Sequence, residues 1–302
     1  MFRARGITRS LRIWPLFILL LFVPLVSAQE IRIEDLVKEA AQNKNPDVFN
    51  DFYFKLRITE RRVDKKGRVS EETRLSEVFF PSKFSEKKKT LNFILLEENG
   101  KPLSEKELNK QREKAVKDVE EIEKDAEKNP NSATDDKGGY FVLATARSSF
   151  LENREFVINP VTILQNSDFS NLRRETVEGR ETLVLNFKPQ TGAKFSKAET
   201  YLANTEGTIW IDAEDKRVVR IEGFPSGMLG RQASNSPDER EQNTAIFYQQ
   251  TKVKEGFWFP LRARINGAKN KDFFEGLRSD TMYEFSDYRR FRAEVLDSKV
   301  GN

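Results

Sequence analysis

From Gly207 to Ile265 the chain reads GTIWIDAEDKRVVRIEG, then a long polar stretch, then KVKEGFWFPLRARI. Successive side chains on a strand point to opposite faces, so this alternation is a strand pattern and not a helical one. Ile209 and Ile211 share one parity, and Trp210 stands with Thr208 and Asp212 on the other. Ala213 to Lys216 predicts a turn, after which Val219 and Ile221 return. In the second block Lys254-Glu255-Gly256 is the turn. Phe257, Phe259, Leu261, Ala263 and Ile265 are read as one apolar row, with Trp258, Pro260, Arg262 and Arg264 behind it. Pro260 has no N–H for a ladder, which predicts a sheet edge or a bulge. A sheet with one greasy face has to bury that face against something.

The same pattern recurs along the chain. Phe52, Phe54, Leu56 and Ile58 alternate with charged residues, and Asp64 to Gly67 makes a turn. The return carries Val69, Thr73, Leu75 and Phe79, which are placed on the apolar parity. Thr90 to Glu97 is a further strand. After Asn159-Pro160 come a hairpin over Asn171 to Lys188 with Phe187 on its apolar face, a short helix near Ser196 to Ala203, and a closing strand within Gly276 to Phe291 that carries Phe285. The expectation is some nine to eleven antiparallel strands.

Three helices interrupt this pattern. Ile31 to Asn43 is amphipathic. Ser104 and Glu107 form a capping box before a charged helix running to Lys128, with a narrow stripe of Leu108, Ala115, Val119, Ile122 and Ala126. Tyr140 to Asn153 is apolar on most sides and is the candidate cover for the greasy face.

Residues 1–28 read as a signal peptide. Arg3, Arg5, Arg9 and Arg12 precede an apolar run that ends in Val26-Ser27-Ala28, so cleavage after Ala28 and a periplasmic, exported chain starting at Gln29 are expected. Those four arginines belong to the leader, so the 52 Lys+Arg fall to 48, equal to the 48 Asp+Glu. A neutral chain lacks the basic surplus that binding to phosphate backbones requires, and no nucleic-acid partner is expected.

With 0 His and 0 Cys, histidine-based nucleophile systems and thiolate or imidazole metal sites are closed off. Asp212, Glu214 and Asp215, and Glu120, Glu121 and Glu123, match no calcium-loop spacing and are read as structural. No catalytic residue, no metal and no cofactor is expected.

Taken together, the leader, the amphipathic first helix, the GTIWID…KRVVRIEG block, the EGFWFP strand and the closing YEFSDYRRF strand resemble the LolA-like superfamily of outer-membrane lipoprotein-sorting proteins. The resemblance spans about Ile31 to Phe291 and implies a single domain, 29–302, with a charged helical insertion at about 101–139. It implies a curved, incomplete β-barrel covered by helices, with a hydrophobic concave face that holds the acyl chains of lipoproteins or lipids. The candidate lining is Phe52, Phe54, Phe187, Ile209, Ile211, Phe257, Phe259 and Phe285. Two roles stay open: a non-enzymatic carrier, or a regulator that senses lipoproteins in envelope stress signalling and has an envelope membrane protein as partner. The same phenylalanines could equally pack as a core.

Overall fold

The computed structural model describes residues 31–43, 52–64, 66–79, 92–128, 158–227, 244–253, 256–267 and 279–290. Contacts group Arg32–Asn302 as one compact unit. The strands are β1 (Phe52–Val63), β2 (Val69–Phe79), β3 (Asn92–Glu98), β4 (Lys101–Pro102), β5 (Ser167–Val177), β6 (Arg180–Pro189), β7 (Thr205–Asp212), β8 (Val218–Pro225), β9 (Ile246–Lys252), β10 (Trp258–Asn266) and β11 (Ser279–Arg290). The helices are α1 (Ile33–Gln42), α2 (Glu105–Lys128) and α3 (Pro160–Asn166), with a 3-10 helix at Lys197–Asn204.

The strands form one open, curved antiparallel sheet in the order β4-β3-β2-β1-β11-β10-β9-β8-β7-β6-β5. Each neighbour is the next strand in the chain, except where β1 meets β11 over ten register pairs. That pairing joins the two ends of the fold and leaves β4 and β5, consecutive in sequence, as the two edges. Edge strands invite pairing with other chains. Here β4 has two residues, and β5 carries Asn171 at φ 56 together with a register shift between Ser170 and Arg173.

Register rows separate the two faces. One row runs Ile58, Tyr283, Ala263, Tyr248, Ile221, Ile209, Leu185 across seven strands. The row next to it on the same face contains Ile265, Ile246, Gly223, Gly207 and Phe187. On the opposite face the row reads Leu75, Arg57, Glu284, Arg262, Gln249, Arg220, Trp210, Val184, Arg173. Apolar in and polar out is the signature of a sheet that is greasy on one side. The paired Gly207 and Gly223 are required by this packing. A Cβ on Gly207 would stand 2.0 Å from the Glu222 carbonyl and 2.8 Å from the Phe187 ring, which occupies the space a side chain would take.

Register also corrects two sequence expectations. The β1–β2 hairpin pairs Phe54 with Val78 and Arg57 with Leu75. Val78 is fully buried on the apolar side, whereas Phe79 is half-buried on the other parity and Leu75 lies on the polar face. The length of the turn, not the hydrophobicity of the residue, decides this, because a one-residue slip exchanges the faces of a whole strand. In β10 the ladder shifts between Pro260 and Arg262. Leu261 is the extra residue, and it leaves the apolar row to line a polar-face cleft beside Arg262. Pro260 thus marks a bulge within an interior strand.

A helix unanticipated from the sequence follows Pro160. The Asn159 side chain accepts from the N–H groups of Val161 (2.9 Å) and Thr162 (3.3 Å), and Pro160 sits where a missing N–H costs nothing. This α3 buries Ile163 and Leu164 and packs on α1, which buries Leu36 and Ala40. In α2 the capping box forms as expected: Glu107 Oε2 accepts from Ser104 N at 2.9 Å. Its Ala115 is buried, and the helix lies on β3. The expected helix at Tyr140 to Asn153, the signal peptide, and most of the Pro225 to Asn243 loop lie outside the described residues.

Candidate functional site

All eight candidate lining residues lie on described strands or beside them, and they fall into two adjoining patches. The aromatic patch occupies β1, β10 and β11. Phe52 meets Phe259 at 4.8 Å between ring centroids and Phe257 at 6.2 Å. Phe54 meets Phe285 at 5.8 Å and Tyr288 at 5.4 Å, and Tyr288 stacks on Phe259 at 4.7 Å. Tilted and stacked rings at these distances contribute beyond the area they bury. The aliphatic patch occupies β6 to β8, where Ile209 and Ile211 face Leu185 and Leu183, and Phe187 covers the glycine pair. Seven of the eight are at most 3% exposed, and Phe257 is half-buried at the start of β10.

Sequence reasoning missed Tyr248, Gln250 and Tyr288 on this side. Tyr248 belongs to the apolar row, and Gln250 Nε2 donates to its hydroxyl at 2.8 Å. The Tyr288 hydroxyl donates to the Pro260 carbonyl at 2.6 Å. Burial pushes the Tyr248 phenol well above its usual range, outweighing the opposing pull of Gln250 and Arg217, and it keeps its proton at any physiological pH. The signal for this strand was the alternation in IFYQQ, which follows the long polar loop directly.

The tryptophans lie on the other face, as their parity predicts, but they are not at the surface. Trp210, Trp258, Val184 and Val219 form a second small core, with Val177 packed against it. Trp210 Nε1 donates to Glu175 and Trp258 Nε1 to Asp215, each at 2.8 Å. Arg220 lies 5.2 Å from the Trp210 ring centroid and Arg180 lies 5.5 Å from that of Trp258, within cation–π range. Gln249 Nε2 donates to Glu178 at 2.7 Å, so the β5–β6 turn reaches as far as β9.

The carboxylates of the β7–β8 turn are held structurally. Asp212 is fully buried and takes a two-pronged bond from Arg180 at 2.6 and 2.9 Å, together with the N–H groups of Glu214 and Asp215. Burial works against its charge, but Arg180 and those N–H groups hold it below the usual carboxylate range. Asp215 is similarly depressed: burial opposes its charge, and Lys252 at 2.7 Å and Trp258 outweigh burial. Arg180 is pushed above its ordinary value, chiefly by its bond to Asp212. Among the described residues no group of three or more Asp or Glu is placed to hold a metal ion, and no helix is long and apolar enough to cross a membrane.

On the polar face a cleft of about 470 Å³ opens among Lys55, Arg57, Leu75, Leu261, Arg262, Glu284 and Asp287. Most of its charged side chains are already engaged: Lys55 pairs with Asp287 at 2.6 Å, Arg57 with Glu97 at 3.4 Å, and Arg262 donates to Gln249 at 3.1 Å.

No family model and no curated protein matches the chain. Among solved structures it is similar to a DUF1329 family protein from Desulfovibrio piger, at 12% identity over 86% of this chain and 92% of that one, with a TM-score of 0.33. It is also similar to an outer membrane lipoprotein-sorting protein domain from Vibrio parahaemolyticus (10%, 86% and 92%, TM-score 0.34). A LolA superfamily protein from Nitrosomonas europaea aligns at 9% over 87% and 94%, with a TM-score of 0.30. Superposition this loose carries no argument about what the chain binds. The description as an open curved sheet stands on its strand order and register.

Proposed function

We propose that this chain is an exported, non-enzymatic carrier or binding protein whose apolar sheet face holds the acyl chains of a lipoprotein or lipid. The observation that carries the reading is the continuity of that face. One uncharged row crosses seven strands and adjoins an aromatic patch at one end and an aliphatic patch at the other. Such a surface suits a ligand recognised by area rather than by direction, at about 0.8 kcal/mol for each methylene withdrawn from water. Residues 29–302 act in this reading as one domain with a charged helical insertion at about 101–139. The phenylalanines Phe52, Phe54, Phe187, Phe257, Phe259 and Phe285, with Ile209 and Ile211, form the ligand surface.

The test is native mass spectrometry of the protein released from the periplasm of cells making the full chain. The expected species begins at Gln29 and carries extra mass that organic solvent extracts as an acyl lipid. A species without ligand that also takes up no added acyl chain overturns the proposal, and a chain retaining residues 1–28 overturns the cleavage. A sensing role would use the same face and add a partner surface on α2, whose Val116 is 58% exposed. Deleting α2 would then abolish partner binding and leave acyl binding intact.

A further inference from the structure

The ends of β7, β9 and β11 and the starts of β8, β10 and β1 lie together at one rim of the sheet, the rim that also carries the aromatic patch. Two polar side chains there are not accounted for by packing. Arg217 stands at the entry to β8, where its carbonyl accepts from Asp212 N at 2.7 Å. Its side chain is half-buried, and its guanidinium forms no hydrogen bond or ion pair with any described residue. Gln250 sits opposite Pro260 with its Oε1 buried and accepting from no described residue, while its Nε2 serves the Tyr248 hydroxyl. A buried polar atom left without a partner is destabilising, so each such atom calls for an explanation. An amide turns about its last bond at little cost, and Gln250 can therefore present either its oxygen or its N–H groups at that spot.

The neighbouring acids do not satisfy Arg217. Asp212 and Glu214 are held by Arg180, and Asp215 by Lys252, Trp258 and Arg180. Arg217 feels Asp215 and Tyr248 only at a distance, and burial lowers its pKa from the ordinary value. A guanidinium left in this state is suited to an incoming oxyanion, which it binds through paired, charge-assisted hydrogen bonds.

We propose that Arg217, on the same rim as Tyr248 and Gln250, receives an anionic end group, a carboxylate or a phosphate, on the ligand whose chain lies along the aromatic patch. This rests on the acyl-binding reading and deepens it. The apolar face takes the chain without regard to direction, and the rim fixes which end of the ligand stays outermost. A free fatty acid and a phospholipid would present the same oxyanion chemistry to Arg217.

Calorimetric titration of the mature protein with dodecanoate, dodecyl phosphate and dodecanol tests it. Both anions are expected to bind about tenfold or more tightly than the alcohol. Arg217→Met is expected to remove that difference and leave dodecanol affinity unchanged. Arg217→Lys retains the charge and should keep most of the preference, and a melting curve identical to the wild type excludes misfolding. The stronger of the two anions identifies the source as a fatty acid or a phosphate-bearing lipid. Equal binding of anion and alcohol by the wild type, or an anion preference that survives in Arg217→Met, overturns this inference and leaves the acyl-binding reading standing. Failure of all three ligands to bind overturns both.

Discussion

Arg180→Met is expected to lower the unfolding free energy by about 3 kcal/mol at neutral pH, because it strands the fully buried Asp212 carboxylate without its counter-charge. Arg180 also touches Glu214 and Asp215 and lies over Trp258, so the β5–β6 turn loses its tie to the β7–β8 turn. The pH dependence separates this cause from lost packing. Asp212 and Asp215 are held below their ordinary values in the fold. A depressed carboxylate contributes stability that is fully present above its unfolded pKa of about 3.9 and is lost as pH falls through the folded value. The wild type should therefore be steady from neutrality down to about pH 5 and weaken progressively below about pH 4. In Arg180→Met the main support for the Asp212 charge is gone, its folded pKa rises, and the acid limb flattens. Urea unfolding at neutral pH and across the acid range reads both effects. An unchanged acid limb in the variant would show that Arg180 acts through its contacts with tryptophan and not through Asp212.

Phe259→Ala is the second large effect, and its size distinguishes a packed core from a face that lines ligand space. Phe259 is 1% exposed, packed at 4.8 Å on Phe52 and stacked at 4.7 Å on Tyr288. If it is packed on all sides, truncation costs about 3–5 kcal/mol, from lost transfer energy and the cavity left behind. If one side borders space meant for a ligand, the neighbouring rings lose fewer contacts and the cost falls to about 1–2 kcal/mol, with a larger loss in acyl binding than in stability. The acyl-binding reading expects the smaller value, and the larger one would show that Phe259 belongs to a packed core. Phe257, half-buried at the patch margin, is the contrasting position: Phe257→Ala should cost about 1 kcal/mol of stability, and more in ligand retention. Chemical unfolding beside an acyl-binding titration measures both quantities for each variant.

Much of this fold was legible because strand periodicity survives burial. The β7–β8 hairpin, the parity of Ile209 and Ile211 against Trp210, the Asp64 turn and the Ser104–Glu107 cap all follow from local residue chemistry, and local rules need no partner strand. Where those expectations failed, the cause was pairing. Val78 rather than Phe79 shares the face of Phe54 because the first hairpin pairs even positions with even. Leu261 left its row because Pro260 cannot donate to β9 and the ladder absorbs an extra residue there. Arg217 and Gln250 were invisible as a pair, since 33 residues of chain separate positions that the β8–β9 ladder brings to one rim.

By itself, the amino-acid sequence determined the antiparallel class, the amphipathic character of most strands, the cap of the long helix, and the exclusion of histidine and cysteine chemistry. Each of these depends on residue type and short-range spacing. The tertiary structure decided that β1 closes against β11, that the sheet stays open between β4 and β5, and that the tryptophans are buried in a second core under Arg180 and Arg220. It also brought the phenylalanines of β1, β10 and β11 into one cluster. These outcomes depend on long-range register, which is set by the mutual burial of residues far apart in the chain and which no local pattern encodes.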